Sequence, residues 1–176
     1  MQTIETARAR LRGLAREQRK RYAGDSDRPI GGYAATMGVY AGVVGALAAG
    51  ARATGRDVPE GLSVTDVGLS ALATHKLSRL LARDPLTSPL RVPFTEYQGP
   101  AGPSELHEEV RGSGGRKTVG ELVTCPFCTG VWVATAFTAG LVYLPRTTRL
   151  AIGTFAALAG ADMLQFAHAW LEKQTS

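Results

Sequence analysis

Charged side chains are almost absent from three long stretches of this chain. Residues 29–51 and residues 122–145 carry none, and residues 150–171 are interrupted only by Asp162, Gln165 and His168. A helix rises 1.5 Å per residue, so about 20 apolar residues cross a hydrocarbon layer of about 30 Å. Each stretch is therefore long enough for a transmembrane helix, and a buried helix of a water-soluble domain is the less favoured alternative.

A fourth helix is predicted between the first two stretches. Ser63 and Asp66 have the spacing of a capping box, with Ser63 as the N-cap of a helix that runs to about Arg83. Its second half is basic on one side, so it either spans the membrane or lies flat at the interface. The sequence therefore predicts an all-α integral membrane bundle of about four helices, at approximately 31–51, 64–83, 126–144 and 149–171.

The first 28 residues form a basic arm. They hold eight of the 20 Lys and Arg residues, and the apolar residues among them recur at helical spacing: Ile4, Ala7, Leu11 and Leu14. This pattern indicates a basic amphipathic helix that could lie on anionic lipid. A solvated arm is the alternative. About thirty mostly polar residues precede the first apolar stretch, which argues against a secretory signal.

The distribution of Lys and Arg predicts the orientation of the chain. With four spans and a cytoplasmic N-terminus, sixteen of the 20 basic residues face the cytoplasm. The four on the opposite side are Arg52, Arg56, Arg146 and Arg149. Since cytoplasmic loops are enriched in Lys and Arg, we expect a multi-pass protein of the bacterial cell membrane with both termini in the cytoplasm.

Residues 84–120 are predicted to form a cytoplasmic loop within the helical membrane domain of residues 29–172. Five prolines favour extended backbone in its first part: Pro85, Pro89, Pro93, Pro100 and Pro103. Residues 105–117 are rich in glycine and charge, which is typical of a solvated segment. The neighbouring carboxylates Glu108 and Glu109 are accordingly expected to be exposed to water.

The two cysteines of the chain, Cys125 and Cys128, have Cys-x-x-Cys spacing at the start of the third predicted span. One interpretation is a zinc site completed by His75 and His168, or by a second copy of the chain, because structural zinc takes four ligands. Another is a redox dithiol, since a helix start favours thiolate. The third is that both cysteines pack as small apolar residues. A cytoplasmic location argues against a permanent disulfide.

The cysteine stretch also resembles a known family. Residues 73–80, 84–94 and 120–132, which include Gly120-Glu121-Leu122 and Cys125-Pro126-Phe127-Cys128, are similar to the bacterial membrane-protein family called domain of unknown function 1360 (DUF1360). The resemblance covers roughly residues 65–170. It implies an integral membrane protein with helices on both sides of the motif, and it implies no particular reaction.

Asp162 and Gln165 are predicted polar residues inside a membrane helix. An ionisable side chain there costs about 2.5–3.5 kcal/mol on insertion scales, so Asp162 should face the bundle interior and find a partner. A proton or ion pathway and a polar contact between helices are the two interpretations. In the first span, Gly38 and Gly42 have the G-x-x-x-G spacing that allows close helix packing in lipid.

The sequence contains no catalytic triad order, phosphate-binding glycine loop or H-E-x-x-H motif. We therefore expect a non-enzymatic accessory or interaction component of the membrane. The alternative is a membrane dithiol redox or zinc-binding protein, with zinc as the cofactor to consider. The expected partners are the lipid bilayer, anionic lipid at the arm, and a second copy or another protein. Nucleic acid is not expected.

Overall fold

A computed structural model describes residues 2–24, 26, 28–56 and 59–175, and these are mostly helical. In order, the elements are α1 Gln2–Ala23, α2 Ile30–Ala53, α3 Val64–Arg83, a 3-10 turn at Pro85–Thr87, α4 Ser88–Arg91, β1 Thr95–Gly102, β2 Glu105–Val110, α5 Gly114–Val123, α6 Pro126–Tyr143 and α7 Pro145–Thr175. The four long helices predicted after the arm are present, with ends that differ by at most four residues from the prediction.

Three of these helices, α2, α6 and α7, are long and apolar enough to cross a membrane by length and composition. Helix α3 begins as predicted, because the Ser63 side chain accepts a hydrogen bond from the Asp66 backbone N–H at 3.0 Å. The basic arm is also helical, and the side chains of Leu11 and Leu14 on it are more than half exposed.

The hydrophobic core lies where α3, α6 and α7 meet. Its buried residues are Ala73, Val133, Phe137, Leu141 and Ile152. Helix α3 packs against both α6 and α7 more extensively than these two helices pack against each other. Helix α3 therefore joins α6 and α7, although it is less apolar than either of them.

Helix α2 packs at the edge of this group, mainly through aromatic residues. The rings of Tyr40 and Trp132 meet edge to face at 5.2 Å, and the Tyr143 hydroxyl donates to the Leu47 carbonyl at 2.6 Å. An added Cβ at Gly38 or Gly42 would meet no atom within 4 Å. The G-x-x-x-G face of α2 is thus not used for packing within the described chain.

Contacts between helix ends show how the helices run. Arg149, near the start of α7, pairs with Asp66 at the start of α3, at 3.3 Å. Arg56 after α2 donates to the carbonyl of Tyr143, the last residue of α6, at 3.0 Å. Helices α2 and α6 therefore run in one direction, and α3 and α7 run in the other.

The prediction of an all-α fold with an irregular loop at residues 84–120 was wrong in part. Strands β1 and β2 form an antiparallel two-stranded sheet, with Thr95 opposite Val110 and Gly102 opposite Glu105. Both strands of such a sheet are edge strands, so Pro100 is tolerated next to a register shift. Ser104 takes a positive φ of 58° in the tight turn that joins the strands.

Arg91 connects this hairpin to the helices. Its guanidinium donates to the Leu81 carbonyl at 2.8 Å and to the Thr87 hydroxyl at 2.8 Å. It also pairs with Glu108 of β2. Glu108 is therefore buried in an ion pair, and the expectation that it would be solvated was wrong.

Candidate functional site

The Cys-x-x-Cys stretch forms the tight turn that begins α6. Cys125 is the N-cap residue, and its sulfur accepts a hydrogen bond from the Cys128 backbone N–H at 3.3 Å. Pro126 occupies the first turn, where its missing N–H costs nothing. Both thiols are free and partly buried, whereas the side chain of Phe127 between them is 89% exposed.

Neighbouring polar groups hold this turn in place. The Thr129 hydroxyl lies 3.1 Å from the Leu122 carbonyl and 3.0 Å from the Cys125 carbonyl, so it spans the break between α5 and α6. The Tyr33 hydroxyl donates to a carboxylate oxygen of Glu121. The start of α2 is thereby attached to the turn that carries the cysteines.

Gly120 precedes this turn at a position where only glycine fits. An added Cβ would lie 2.5 Å from a methyl carbon of Val110 and 3.2 Å from the backbone oxygen of Phe94. The hairpin therefore packs directly against the backbone of α5. This close approach explains in physical terms why the stretch Gly120-Glu121 contains a glycine.

The two histidines of the predicted zinc set lie elsewhere. His75 lines a cleft beside α7, and His168 lies 3.3 Å from Glu172 on the exposed side of that helix. Among the residues that the structure describes, no three His, Cys, Asp or Glu side chains are close enough together to hold a metal ion. A single copy of the chain therefore does not bring Cys125, Cys128, His75 and His168 together.

The cleft has a volume of about 510 Å³ and lies between α3, the hairpin turn and α7. The charged and polar residues that line it include His75, Lys76, Arg79, Asp84, Glu105, Asp162 and Gln165. The apolar residues include Leu80, Pro103, Met163, Phe166 and Ala169. We call its charged residues the charged wall, and the α7 residues Met163, Phe166 and Ala169 the apolar wall.

Two ion pairs cross the cleft. Lys76 Nζ of α3 lies 2.6 Å from Asp162 Oδ2 of α7, so the structure gives Asp162 a charged partner. Arg79 pairs with Glu105 at the start of β2. Gln165 lines the same cavity one turn beyond Asp162.

Only part of this cleft is visible in the amino-acid sequence. The basic side of α3 was visible from the spacing of His75, Lys76 and Arg79. Glu105 was missed because the hairpin was not predicted, and without the hairpin no carboxylate reaches Arg79. The signal that could have identified the hairpin is Gly102-Pro103-Ser104, a turn sequence between two short segments of extended character.

A second cavity is an apolar groove of about 610 Å³ between α2 and α6. Small and branched side chains line it, together with Tyr40 and Tyr143 at its two ends. It carries no charged side chain, which distinguishes it from the cleft.

Residues 69–168 match the family model described as "Protein of unknown function (DUF1360)". The match covers more than half of the chain and includes the cysteine turn and all the cleft residues named above except Ala169. The chain belongs to the DUF1360 family.

A relative within the curated proteins is "Sporulation protein YjcA" of Bacillus subtilis (strain 168), which is 41% identical over 69 residues. These residues are 38% of this chain and 58% of the relative, so the chain matches little more than half of the relative's length. No solved structure matches the chain significantly.

Proposed function

We propose that this DUF1360 protein is a multi-pass component of the bacterial cell membrane that acts by binding other molecules rather than by catalysis. The observation that carries the proposal is the exposure of its apolar helices. In the apolar 18-residue stretch of α2 only 6% of the residues are buried, and in the corresponding stretches of α6 and α7 only 17% are buried. Such exposed apolar surface is costly in water and is favourable in lipid.

Packing supports a fourth span. Helix α3 lies against both α6 and α7 along the hydrophobic core, and Asp66 and Lys76 of α3 contact α7 at positions separated by more than two turns. If α6 and α7 cross the bilayer, then α3 lies at the same depth. A flat position at the interface would break these contacts.

The ends of the helices support the orientation predicted from Lys and Arg. Arg56 and Arg149 lie at one end of the helix group, where α2 and α6 end and where α3 and α7 begin. The hairpin, α5 and the cysteine turn lie at the other end. We infer that this second end faces the cytoplasm, because most of the Lys and Arg residues belong to it.

The cytoplasmic end has features of an interaction surface. Exposed apolar side chains occur there at Leu86 and Leu90, between α3 and the hairpin, and at Phe127 in the first turn of α6. The buried Arg91–Glu108 pair fixes the hairpin beside them. The relative's name is that of a sporulation protein, so we also propose that this chain serves in sporulation where its host forms spores.

Membrane fractionation tests the location. We expect the full-length protein to pellet with membranes and to resist an alkaline carbonate wash, because three or four spans hold it in the bilayer. Recovery in the carbonate supernatant would contradict the proposal.

Labelling of single cysteines tests the orientation. In intact cells, a membrane-impermeant maleimide should label a cysteine introduced at Thr147 in a Cys125→Ser, Cys128→Ser background. It should label the native cysteines only after the membrane is opened. Labelling of Cys125 or Cys128 from outside intact cells would show that the orientation is opposite to the proposed one.

A second candidate function is that of a membrane dithiol or zinc protein. It is favoured by the hydrogen bond from the Cys128 N–H to the Cys125 sulfur, which holds both thiols in one turn. Metal analysis and thiol alkylation of detergent-purified protein separate the possibilities. Zinc in stoichiometric amount that is lost in Cys125→Ser supports a metal site shared between copies. Metal-free thiols that form a reversible disulfide support redox chemistry.

A further inference from the structure

The cleft between α3, the hairpin turn and α7 has no role in the function proposed so far. Its charged wall carries two cations, Lys76 and Arg79, and three carboxylates. The carboxylates are those of Asp84, Glu105 and Asp162. Counted without His75, the three carboxylates exceed the two cations by one negative charge.

This charge balance disfavours ligands that are negatively charged overall, because they would increase the excess of negative charge in the cleft. A zwitterion, which carries one positive and one negative group, would not increase it. An ammonium group is attracted to the Glu105 and Asp162 carboxylates, and a phosphate is attracted to Lys76 and Arg79. The wall therefore suits a zwitterion that carries a phosphate beside a primary amine.

The ion pairs of the cleft are accessible to such a ligand. In the Arg79–Glu105 pair the side chains are 46% and 25% exposed, and in the Lys76–Asp162 pair they are 21% and 40% exposed. Partly solvated pairs of this kind gain little free energy from their mutual contact. In a complex with the zwitterion, its phosphate can therefore take the place of the carboxylates beside Lys76 and Arg79. Its ammonium can take the place of these two cations beside Asp162 and Glu105.

The apolar wall indicates what the zwitterion is attached to. Met163, Phe166 and Ala169 are spaced three residues apart on α7, so they share one face of the helix beside the charged wall. Met163 and Phe166 are both more than half exposed. A polar head bonded to an apolar chain fits this division, and the volume of about 510 Å³ is within the range of ligand pockets.

The position of the cleft agrees with this. Pro103, Ser104 and Glu105 of the hairpin line it, so the cleft begins at the end of the helix group that carries the hairpin. Asp162 lies 12 residues beyond Leu150, where the apolar stretch of α7 begins, which is about 18 Å along the helix axis. The cleft therefore extends from the hairpin toward the apolar part of α7.

We propose that the cleft binds phosphoethanolamine, either as the headgroup of a phosphatidylethanolamine or as a soluble phosphodiester of the same chemistry. The phosphate lies against Arg79 and Lys76, and the primary ammonium lies against Glu105 and Asp162. The lipid form rests on the proposed membrane location, because it places the apolar wall in the bilayer.

The test measures binding to the full-length protein in non-ionic detergent by native mass spectrometry and by the rise in melting temperature. Lipids with identical acyl chains and ethanolamine, choline or glycerol headgroups are compared. The ethanolamine lipid should bind best. The choline headgroup has no N–H to donate to the carboxylates, and the glycerol headgroup leaves a net negative charge.

Two variants probe the two halves of the headgroup. Arg79→Gln and Glu105→Gln should each weaken binding of the ethanolamine lipid by about tenfold, the loss expected for one hydrogen bond to a charged group. Arg146→Gln, at the opposite end of the helix group, is the matched control and should bind normally. Because Arg79 and Glu105 are partly exposed, both variants are expected to fold.

Equal binding of the three lipids, stronger binding of the glycerol lipid, or unchanged binding by both cleft variants would overturn the proposal. Glycerophosphoethanolamine distinguishes the sources. If glycerophosphoethanolamine at equal concentration displaces the ethanolamine lipid, the soluble phosphodiester is the ligand. If it does not displace the lipid, the lipid is the ligand. If fractionation shows that the protein is not in the membrane, the same competition assay still measures the cleft by itself.

Discussion

Arg91 and Glu108 form an ion pair that is almost completely removed from solvent. Arg91 Nε lies 2.5 Å from Glu108 Oε2, and the two side chains are 1% and 6% exposed. The guanidinium also donates to the backbone carbonyls of Leu81 and Asp84. One arginine therefore joins the end of α3 to the hairpin, and through the hairpin it positions one wall of the charged cleft.

Glu108→Gln should destabilise the hairpin strongly. The substitution keeps the shape of the side chain but leaves the buried guanidinium without a compensating charge, which costs about 3–5 kcal/mol in comparable pairs. We expect a lower melting temperature in detergent and faster proteolysis within residues 95–110. Glu109→Gln is the control, because Glu109 is exposed and its substitution should change stability by less than about 0.5 kcal/mol. Equal effects of the two substitutions would refute the assigned role of Glu108.

Gly120→Ala should disrupt the packing of the hairpin against α5. The new methyl group would lie 2.5 Å from Val110 and 3.2 Å from the Phe94 backbone oxygen, and the backbone cannot move aside cheaply. We expect a loss of about 1–3 kcal/mol from overpacking.

Gly115→Ala in the same helix provides the comparison for Gly120→Ala. A Cβ at Gly115 meets no atom within 4 Å, so helix propensity alone should apply and should stabilise by about 0.5–1 kcal/mol. Melting temperatures of the two purified variants give the answer. A Gly120→Ala protein as stable as Gly115→Ala would mean that the hairpin does not pack on α5 as described.

The long helices could be predicted because each carries its own signal. Uncharged runs mark α2 and α6, and the side chain of Ser63 caps α3 as its sequence indicates. These features depend on residues that are neighbours in the chain, so no knowledge of the rest of the fold was needed.

The hairpin and the cleft could not be predicted in the same way. The prolines of residues 84–103 favour an irregular loop. The hairpin forms in spite of them, because it allows Arg91 to be buried against Glu108, which lies seventeen residues later in the chain. The partners of Lys76 and Arg79 lie 86 and 26 residues away in the chain. Such long-range pairs have no local sequence signal. For the same reason, the Cys-x-x-Cys spacing does not reveal whether His75 and His168 lie near the cysteines.

Ser70→Ala should be neutral or stabilising. The Ser70 hydroxyl of α3 is buried, and among the described residues it has no hydrogen-bond partner. A buried hydroxyl without a partner costs about 1–3 kcal/mol, and alanine also has the higher helix propensity. We expect a gain of up to about 1 kcal/mol in thermal unfolding in detergent. A clear loss of stability would show that the hydroxyl has a bonding partner in the native protein.

The Lys76–Asp162 pair offers a test of how α3 and α7 are aligned. Reversal of either charge alone, by Lys76→Asp or Asp162→Lys, places like charges across the cleft and should lower the melting temperature. The double reversal restores opposite charges at the same positions and should recover most of the loss. Because the two side chains are 21% and 40% exposed, we expect a coupling of about 1 kcal/mol in the double-mutant cycle, at the upper end of the range for exposed pairs.

The exposed pair of Glu17 and Arg21 on α1 is the control for this cycle. Its side chains are 57% and 70% exposed, and a cycle through Glu17→Ala and Arg21→Ala should give a coupling below about 0.5 kcal/mol. If the Lys76–Asp162 cycle gives no more than this control, the two residues do not face each other. The alignment of α3 with α7 would then be incorrect, and the charged cleft would lose one of the two ion pairs that define it.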